Sequence, residues 1–111
     1  MQNTSAAELR RRRRRLLRDM PPLDRIMRGS LVERFKRCSN PGCHCAEGRG
    51  HGPKTYLSVS VPGQRPQMDY VPNARCDEVR ALVDNFNTAR AILNEVCAIN
   101  TELLRRREEL D

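Results

Sequence analysis

Thr55-Tyr56-Leu57-Ser58-Val59-Ser60-Val61 is the stretch of this 111-residue chain that decides its fold. Its aliphatic side chains fall on one face and its serines on the other. Such alternation is typical of a β-strand that is half buried. The chain therefore contains a sheet with one face against a core.

The neighbouring segments predict two further strands. Pro62-Gly63 predicts a turn, after which Gln67–Val71 returns as the hairpin partner, with Pro66 implying an edge or a bulge. Before the central strand, residues 31–37 fit a strand on which Leu31 and Phe35 share a face. A small antiparallel sheet is expected.

Between the first two predicted strands lies a cluster of soft metal ligands. Its spacing is Cys-x4-Cys-x-Cys-x5-His, and a turn at Asn40-Pro41-Gly42 would fold it into a knuckle. Three thiolates and one imidazole make a closed tetrahedral site, which predicts a structural Zn²⁺. The predicted ligands are Cys38, Cys43, Cys45 and His51.

Two alternatives to this zinc site stay open. His44 competes with His51 as the nitrogen ligand, although its place between two thiolates favours an outward orientation. The cluster can also be a reduced cysteine-rich turn without metal, or a redox or disulfide element. A chain that is 38% apolar and lacks Trp has little core, and a structural metal would supply stability.

The N-terminal segment predicts a basic helix. Thr4 or Ser5 can cap it, and Pro21-Pro22 ends it after Met20. Its apolar stripe is thin and like charges repel along it, so a partner or polyanion would be needed to order it. The arginines of this segment are Arg10, Arg11, Arg12, Arg13, Arg14, Arg15 and Arg18.

Residues 74–110 contain neither Pro nor Gly and predict one long helix capped by Asn73. Heptad positions a and d are mostly apolar, and Asn100 at an a position would fix register. Further apolar residues widen the face, so we expect self-association; the alternative is an intrachain hairpin with the N-terminal helix. The predicted seam comprises Val79, Leu82, Phe86, Leu93, Val96, Asn100 and Leu103.

Charge is unevenly distributed along the chain. Residues 1–37 carry twelve basic against four acidic side chains, whereas residues 76–111 carry five against eight, within a net charge of +7. A basic head is expected where one end meets a polyanion. No stretch is apolar enough for a membrane and no secretory signal is visible, so we expect a cytoplasmic protein with reduced thiols.

The expected fold class is α+β: a small antiparallel sheet with a zinc knuckle, flanked by the basic helix and the long heptad helix. Three parts are predicted. Residues 1–22 form an arginine-rich arm, residues 23–72 a zinc-knuckle β domain, and residues 73–111 a long helix in a coiled coil or bundle.

Several motifs resemble a known family. They are Arg28-Gly29-Ser30-Leu31-Val32-Glu33-Arg34-Phe35, the cysteine knuckle, His51-Gly52-Pro53 and Tyr70-Val71-Pro72. Together they resemble small, functionally uncharacterised prokaryotic proteins that are often encoded near transposases and in mobile elements. The resemblance covers about residues 28–104 and favours His51 as the fourth zinc ligand. Lys54 and Thr55 stand where that family tends to carry aromatic residues.

These patterns favour a zinc-stabilised accessory protein that binds DNA or RNA through its phosphates. The candidate contacts are the arginines of the N-terminal helix together with Arg34, Lys36 and Arg37. For the arginine run, a solvated tail is the alternative. The alternative function is an interaction module whose long helix pairs with a transposase or recombinase. An enzyme is not expected, because a closed zinc site consumes the available ligands.

Overall fold

The computed structural model describes residues 1–36 and 51–111, with backbone but not side chains for residues 36, 51 and 52. The elements in chain order are α1 (Ala6–Arg18), β1 (Ser30–Lys36), β2 (His51–Val59), β3 (Gln67–Val71), a 3-10 turn (Asn73–Arg75) and α2 (Cys76–Arg105). The predicted α+β class, with an N-terminal helix, a small antiparallel sheet and a long C-terminal helix in chain order, is confirmed.

The start of α1 follows from its capping chemistry. Ser5 adopts extended dihedral angles, and its hydroxyl accepts a hydrogen bond from the Glu8 backbone N–H at 3.1 Å. Glu8 also places a negative charge in the first turn, where the helix dipole favours it. The helix ends at Arg18, ahead of Pro21-Pro22.

The sheet has the order β1-β2-β3, and both pairings are antiparallel. Its register places Val32 opposite Tyr56 and Tyr56 opposite Tyr70. At the far end of the first pairing, Lys36 stands opposite His51, after an irregularity between Arg34 and Lys36. Both β1 and β3 are edge strands, and β3 is five residues long between Pro66 and Pro72.

The chain divides into two compact units, residues 27–83 and residues 1–26 with 84–111. In the unit of residues 27–83, Leu57 and Val71 of the sheet are buried with Val79 and Val83 from the start of α2. This core buries one face of the sheet, as the alternation of residues 55–61 predicts. Partly buried residues packed against it are Met27, Leu31, Val59 and Cys76.

The other unit is held together by α1 and the end of α2. Leu9, Ile99 and Leu103 are fully buried together, and Ala6 and Leu16 pack against them. Most of the apolar stripe of α1 is therefore covered within the chain, whereas Leu17 stays 55% exposed. Packing of this kind stabilises a helix whose own arginines repel one another.

A Schellman motif ends α2. The Glu108 N–H donates to the Leu103 carbonyl and the Arg107 N–H to the Leu104 carbonyl, both at 3.0 Å. Arg107 has φ 57°, a left-handed conformation that glycine normally provides at this position. The helix thus stops at Arg105, short of the predicted Leu110.

The predicted division into residues 1–22, 23–72 and 73–111 remains a prediction. Among the helices of the described ranges, none combines the length and the apolar composition that crossing a bilayer requires.

Candidate nucleic-acid interface

The sheet has a second face, opposite the core, which we call the open face. It carries the residues that alternate with the buried ones: Leu57 is buried while its neighbours Tyr56 and Ser58 are half exposed. The register brings side chains from all three strands onto it. The open face comprises Val32, Arg34, Lys54, Tyr56, Ser58, Met68 and Tyr70.

Charge is sorted between the two faces. Arg34 and Lys54 stand directly opposite each other on the open face. The acidic strand residues Glu33 and Asp69 occupy register positions opposite Thr55 and Leu57, which are buried on the core side. Basic side chains therefore project from the open face and acidic ones from the other.

Among the residues that the structure describes, no acid forms an ion pair with the basic side chains near the open face. Arg34, Lys54 and the adjacent Arg65 form no ion pair with any acid in the ranges the structure describes. Their positive charge is thus uncompensated by described groups and is available to an anion.

Two tyrosines lie at the centre of the open face. The rings of Tyr56 and Tyr70 meet edge to face, with centroids 5.8 Å apart and planes 66° apart. Tyr70 nevertheless keeps 54% of its surface exposed. An edge-to-face contact fixes ring orientation and contributes about 1 kcal/mol, so an exposed aromatic surface is held in place.

Two shallow depressions mark the open face. One is lined by Arg34, Lys54, Tyr56 and Met68. The other is lined by Val32, Arg34, Ser58, Arg65, Pro66 and Met68. Because both include Arg34 and Met68, they adjoin, and together they place basic groups beside aromatic and aliphatic ones.

The arginines of α1 have a different environment, because several contact α2 or the residues that follow it. Arg10 donates from Nη2 to the Glu109 carbonyl at 2.6 Å and lies 3.7 Å from the Glu108 carboxylate. Arg12 pairs with Glu95 at 3.6 Å. The acidic tail of the chain thus neutralises part of the basic head.

Glu8 engages two more arginines on its own helix, Arg11 at 2.6 Å and Arg15 at 3.4 Å. The hydrogen bond from Arg11, supported by the charges of Arg11 and Arg15, lowers the pKa of the Glu8 carboxyl below its ordinary value. Arg14 and Arg18 flank Leu17 in a shallow depression and form no ion pair within residues 1–36 and 51–111.

The predicted metal ligands Cys38, Cys43 and Cys45 lie outside the described residues, as do His44 and Arg37. For His51 and Lys36 the backbone pairing is described, but not the side chains. Within the described part of the chain, no group of three or more His, Cys, Asp or Glu residues could hold a metal ion.

The predicted self-association residues lie in contrasting environments. Val79 is buried against the sheet and Leu103 against Leu9. Asn100 accepts a hydrogen bond from Arg13. Leu93 is 56% exposed, whereas the remaining members, Leu82, Phe86 and Val96, are half buried.

Sequence reasoning missed the open face as a unit. Tyr56 shares its side of β2 with Ser58, so the alternation of residues 55–61 already indicated an exposed tyrosine. Its pairing with Tyr70 depends on the register of β2 and β3, which the alternation does not specify. Lys54 and Arg65 become candidates only through the depressions that each of them lines with Arg34 and Met68.

These features define a small α+β domain whose three-stranded sheet packs one face on helix α2 and leaves a basic, aromatic face open. The chain belongs to the family described as a domain of unknown function (DUF6788), whose model matches residues 6–81. No curated protein and no solved structure matches the chain.

Proposed function

We propose that this protein binds nucleic acid through its phosphate groups, with the open face as the main contact surface. The observation that carries the proposal is the register pair Arg34 and Lys54, two like charges directly opposite each other on a face without described acids. Such a pair destabilises a sheet by roughly 0.2–1 kcal/mol unless an anion compensates it. A phosphate bound between the two side chains would remove that repulsion.

The α1 arginines are a second candidate surface. Arg14 and Arg18 are again like charges, one helical turn apart, and no described acid pairs with them. The other arginines of α1 would have to exchange intrachain partners for phosphates. Exposed ion pairs contribute at most about 1 kcal/mol, so this exchange is inexpensive.

Zinc fits this proposal as a support for the β1-β2 hairpin. The pairing of Lys36 with His51 brings together the two ends of the segment that contains Cys38, Cys43 and Cys45. Cys38 lies two residues after Lys36 in the sequence, and His51 is the cross-strand partner of Lys36. A metal held by these four residues would close a loop whose two ends are already paired, and it would stiffen the strand that carries Arg34.

The zinc component is tested by metal analysis of the purified protein, followed by thermal unfolding with and without a chelator. We expect one zinc per chain and a large loss of stability on its removal. Cys43→Ser and Cys45→Ser should lower the zinc content in the same way, while Cys97→Ser, in α2, is the control. Full stability of a metal-free preparation would contradict a structural role.

Phosphate binding is tested by measuring affinity for duplex and single-stranded oligonucleotides over a range of salt concentrations. The double variant Arg34→Gln/Lys54→Gln should weaken binding. It should also reduce the salt slope, by about 0.9 per lost contact for duplex and about 0.7 for single strands.

A matched control removes two positive charges elsewhere in the same unit. Arg75→Gln/Arg80→Gln changes net charge equally, but these arginines pair with Glu78 and Asp77, away from the open face. We expect a small effect from this control. Equal losses from both double variants would mean that only net charge matters, and binding that is independent of salt would overturn the proposal.

A second candidate function is assembly through α2, with another copy of the chain or with a mobile-element protein such as a transposase or recombinase. The exposed leucines of α2 favour it: Leu93 and Leu104 are 56% and 57% exposed. They are separated by about three helical turns, which places them on the same side of the helix. Exposed apolar residues on one side of a helix are typical anchors for a helix partner.

Light scattering tests assembly between copies. If α2 self-associates, the wild-type mass should rise with concentration, and Leu93→Gln/Leu104→Gln should lower it to that of one chain. Leu23→Gln is a suitable control, because Leu23 is 64% exposed but lies outside α2. A constant monomer mass for the wild type would exclude self-association.

A further inference from the structure

We infer that the open face binds unpaired bases, so that the preferred ligand is single-stranded nucleic acid. This inference rests on the proposed phosphate binding and adds a second kind of contact. The observation behind it is a row of three apolar or aromatic side chains across the sheet, Val32, Tyr56 and Tyr70, which we call the aromatic row.

The aromatic row lies between basic groups. On one side of the row, Arg34 lies two residues after Val32 and Lys54 lies two residues before Tyr56, a distance of about 7 Å at the rise of a β-strand. On the other side, Arg65 lines a depression with Ser58 and Met68. A nucleotide spans a comparable distance between base and phosphate, so a strand crossing the sheet could stack on the rings and meet cations at both ends.

The ring geometry suits stacking. Tyr70 is 54% exposed, although the edge-to-face contact with Tyr56 holds its orientation. A surface that is already ordered loses little conformational entropy on binding. Two rings would accommodate about two bases, as aromatic residues do on other nucleic-acid-binding sheets.

The same geometry disfavours a duplex. Bases in a double helix are stacked on each other and present only their edges, whereas stacking on a tyrosine ring requires the face of a base. A duplex could contact the basic groups but not the aromatic row. The open face should therefore discriminate between paired and unpaired strands.

An acidic polypeptide is the competing ligand, because it would also meet the cations. It would not require the ring faces. The aromatic row thus favours a nucleic acid strand, and poly-glutamate serves as a competitor in the test.

The chain provides its own reporter for this surface. It has two tyrosines and no tryptophan, and both tyrosines lie on the open face. Intrinsic tyrosine fluorescence therefore reports on the aromatic row. We expect quenching when an unlabelled single-stranded oligonucleotide binds, and less quenching at equal saturation with a duplex.

The decisive experiment measures anisotropy of labelled 12-nucleotide strands, as DNA and as RNA, and of the matching duplexes, with the full-length protein. Tyr70→Leu should weaken single-strand binding about tenfold and leave duplex binding unchanged. Tyr70→Phe keeps the ring and should retain wild-type affinity. Circular dichroism confirms folding, and Tyr56→Leu provides a second variant in the same row.

The outcomes separate this inference from the proposed function. If Arg34→Gln/Lys54→Gln weakens all ligands but Tyr70→Leu and Tyr56→Leu change none, phosphate binding stands and base stacking is overturned. If the wild-type protein binds none of the oligonucleotides, or if its binding does not depend on salt, the proposed function itself fails. Preference for either DNA or RNA single strands supports the inference, whereas equal affinity for strand and duplex, or for poly-glutamate, contradicts it.

Discussion

Arg13 donates a hydrogen bond from its Nη1 to the Oδ1 of Asn100 at 2.5 Å, in a partly buried position between α1 and α2. In the sequence, Asn100 is the polar residue of a heptad a position and predicts register between two copies of α2. In the folded chain its carbonyl oxygen is occupied by an arginine of the same chain. The residue thus acts in intrachain packing.

Loss of this hydrogen bond should be measurable. We expect Asn100→Ala to lower the free energy of unfolding by about 1–2 kcal/mol, because a hydrogen bond to a charged group is lost in a partly buried site. Asn94→Ala, on the exposed side of α2, is the control for helix propensity. Urea denaturation compares the two variants. Equal midpoints would show that the hydrogen bond from Arg13 to Asn100 does not stabilise the fold.

Two adjacent leucines of α2 should differ strongly in their contribution to stability. Leu103 is fully buried with Leu9 and Ile99, whereas Leu104 is 57% exposed. We expect Leu103→Ala to cost about 2–5 kcal/mol through the cavity it leaves, and Leu104→Ala less than about 1 kcal/mol. Thermal and urea unfolding should show this difference, and similar losses would place the core elsewhere.

Gly29 should be far less tolerant of substitution than Gly63. A Cβ at Gly29 would stand 2.8 Å from Leu57 Cδ1 and 2.9 Å from the Ser58 carbonyl oxygen, at φ 139°. Gly63 has φ 71° but nothing within 4 Å. We expect Gly29→Ala to cost roughly 2–5 kcal/mol, since strain and crowding add, and Gly63→Ala about 1 kcal/mol. Urea denaturation of both variants tests this order.

Acid should destabilise the fold in part through Glu102. A hydrogen bond from Arg106 Nε at 2.8 Å, together with the charges of Arg106 and Arg105, lowers the Glu102 pKa below its ordinary value of 4.5. A carboxyl with a lowered pKa contributes stability above its unfolded pKa and loses it as pH falls through the folded value.

The melting temperature of the wild type should therefore fall as pH drops below about 4.5. The melting temperature of Glu102→Gln should fall less steeply over the same range. Glu8→Gln should behave similarly, because Arg11 lowers the Glu8 pKa by the same mechanism. A pH profile of Glu102→Gln parallel to that of the wild type would show that this carboxyl contributes nothing to the acid response.

Local patterns in the sequence predict the elements well where apolar and polar side chains alternate along a strand or where a side chain caps a helix. The returning strand Gln67–Val71 and the cap at Ser5 both appear as expected. The start of β2 at His51 was missed, because Gly52 and Pro53 interrupt the alternation. The end of α2 was also missed, since Arg107 occupies a position where glycine usually signals the stop.

The candidate site was less predictable because it depends on contacts between distant residues. The partners of Arg10 and Arg12 lie more than eighty residues away in sequence. The sequence alone therefore does not indicate that acidic residues pair with these arginines. Tyr56 and Tyr70 become neighbours only through strand register. Sequence therefore identifies the basic character of the chain but not which basic groups remain available.

The edges of the sheet have a consequence for how this protein behaves at high concentration. Exposed edge strands can recruit strands from other copies and start aggregation. Here β3 is short and lies between two prolines, while β1 has an irregularity beside Arg34. Both edges are thus poor templates for continued pairing. Concentrated solutions should stay free of strand-paired aggregates, and any assembly should proceed through helices.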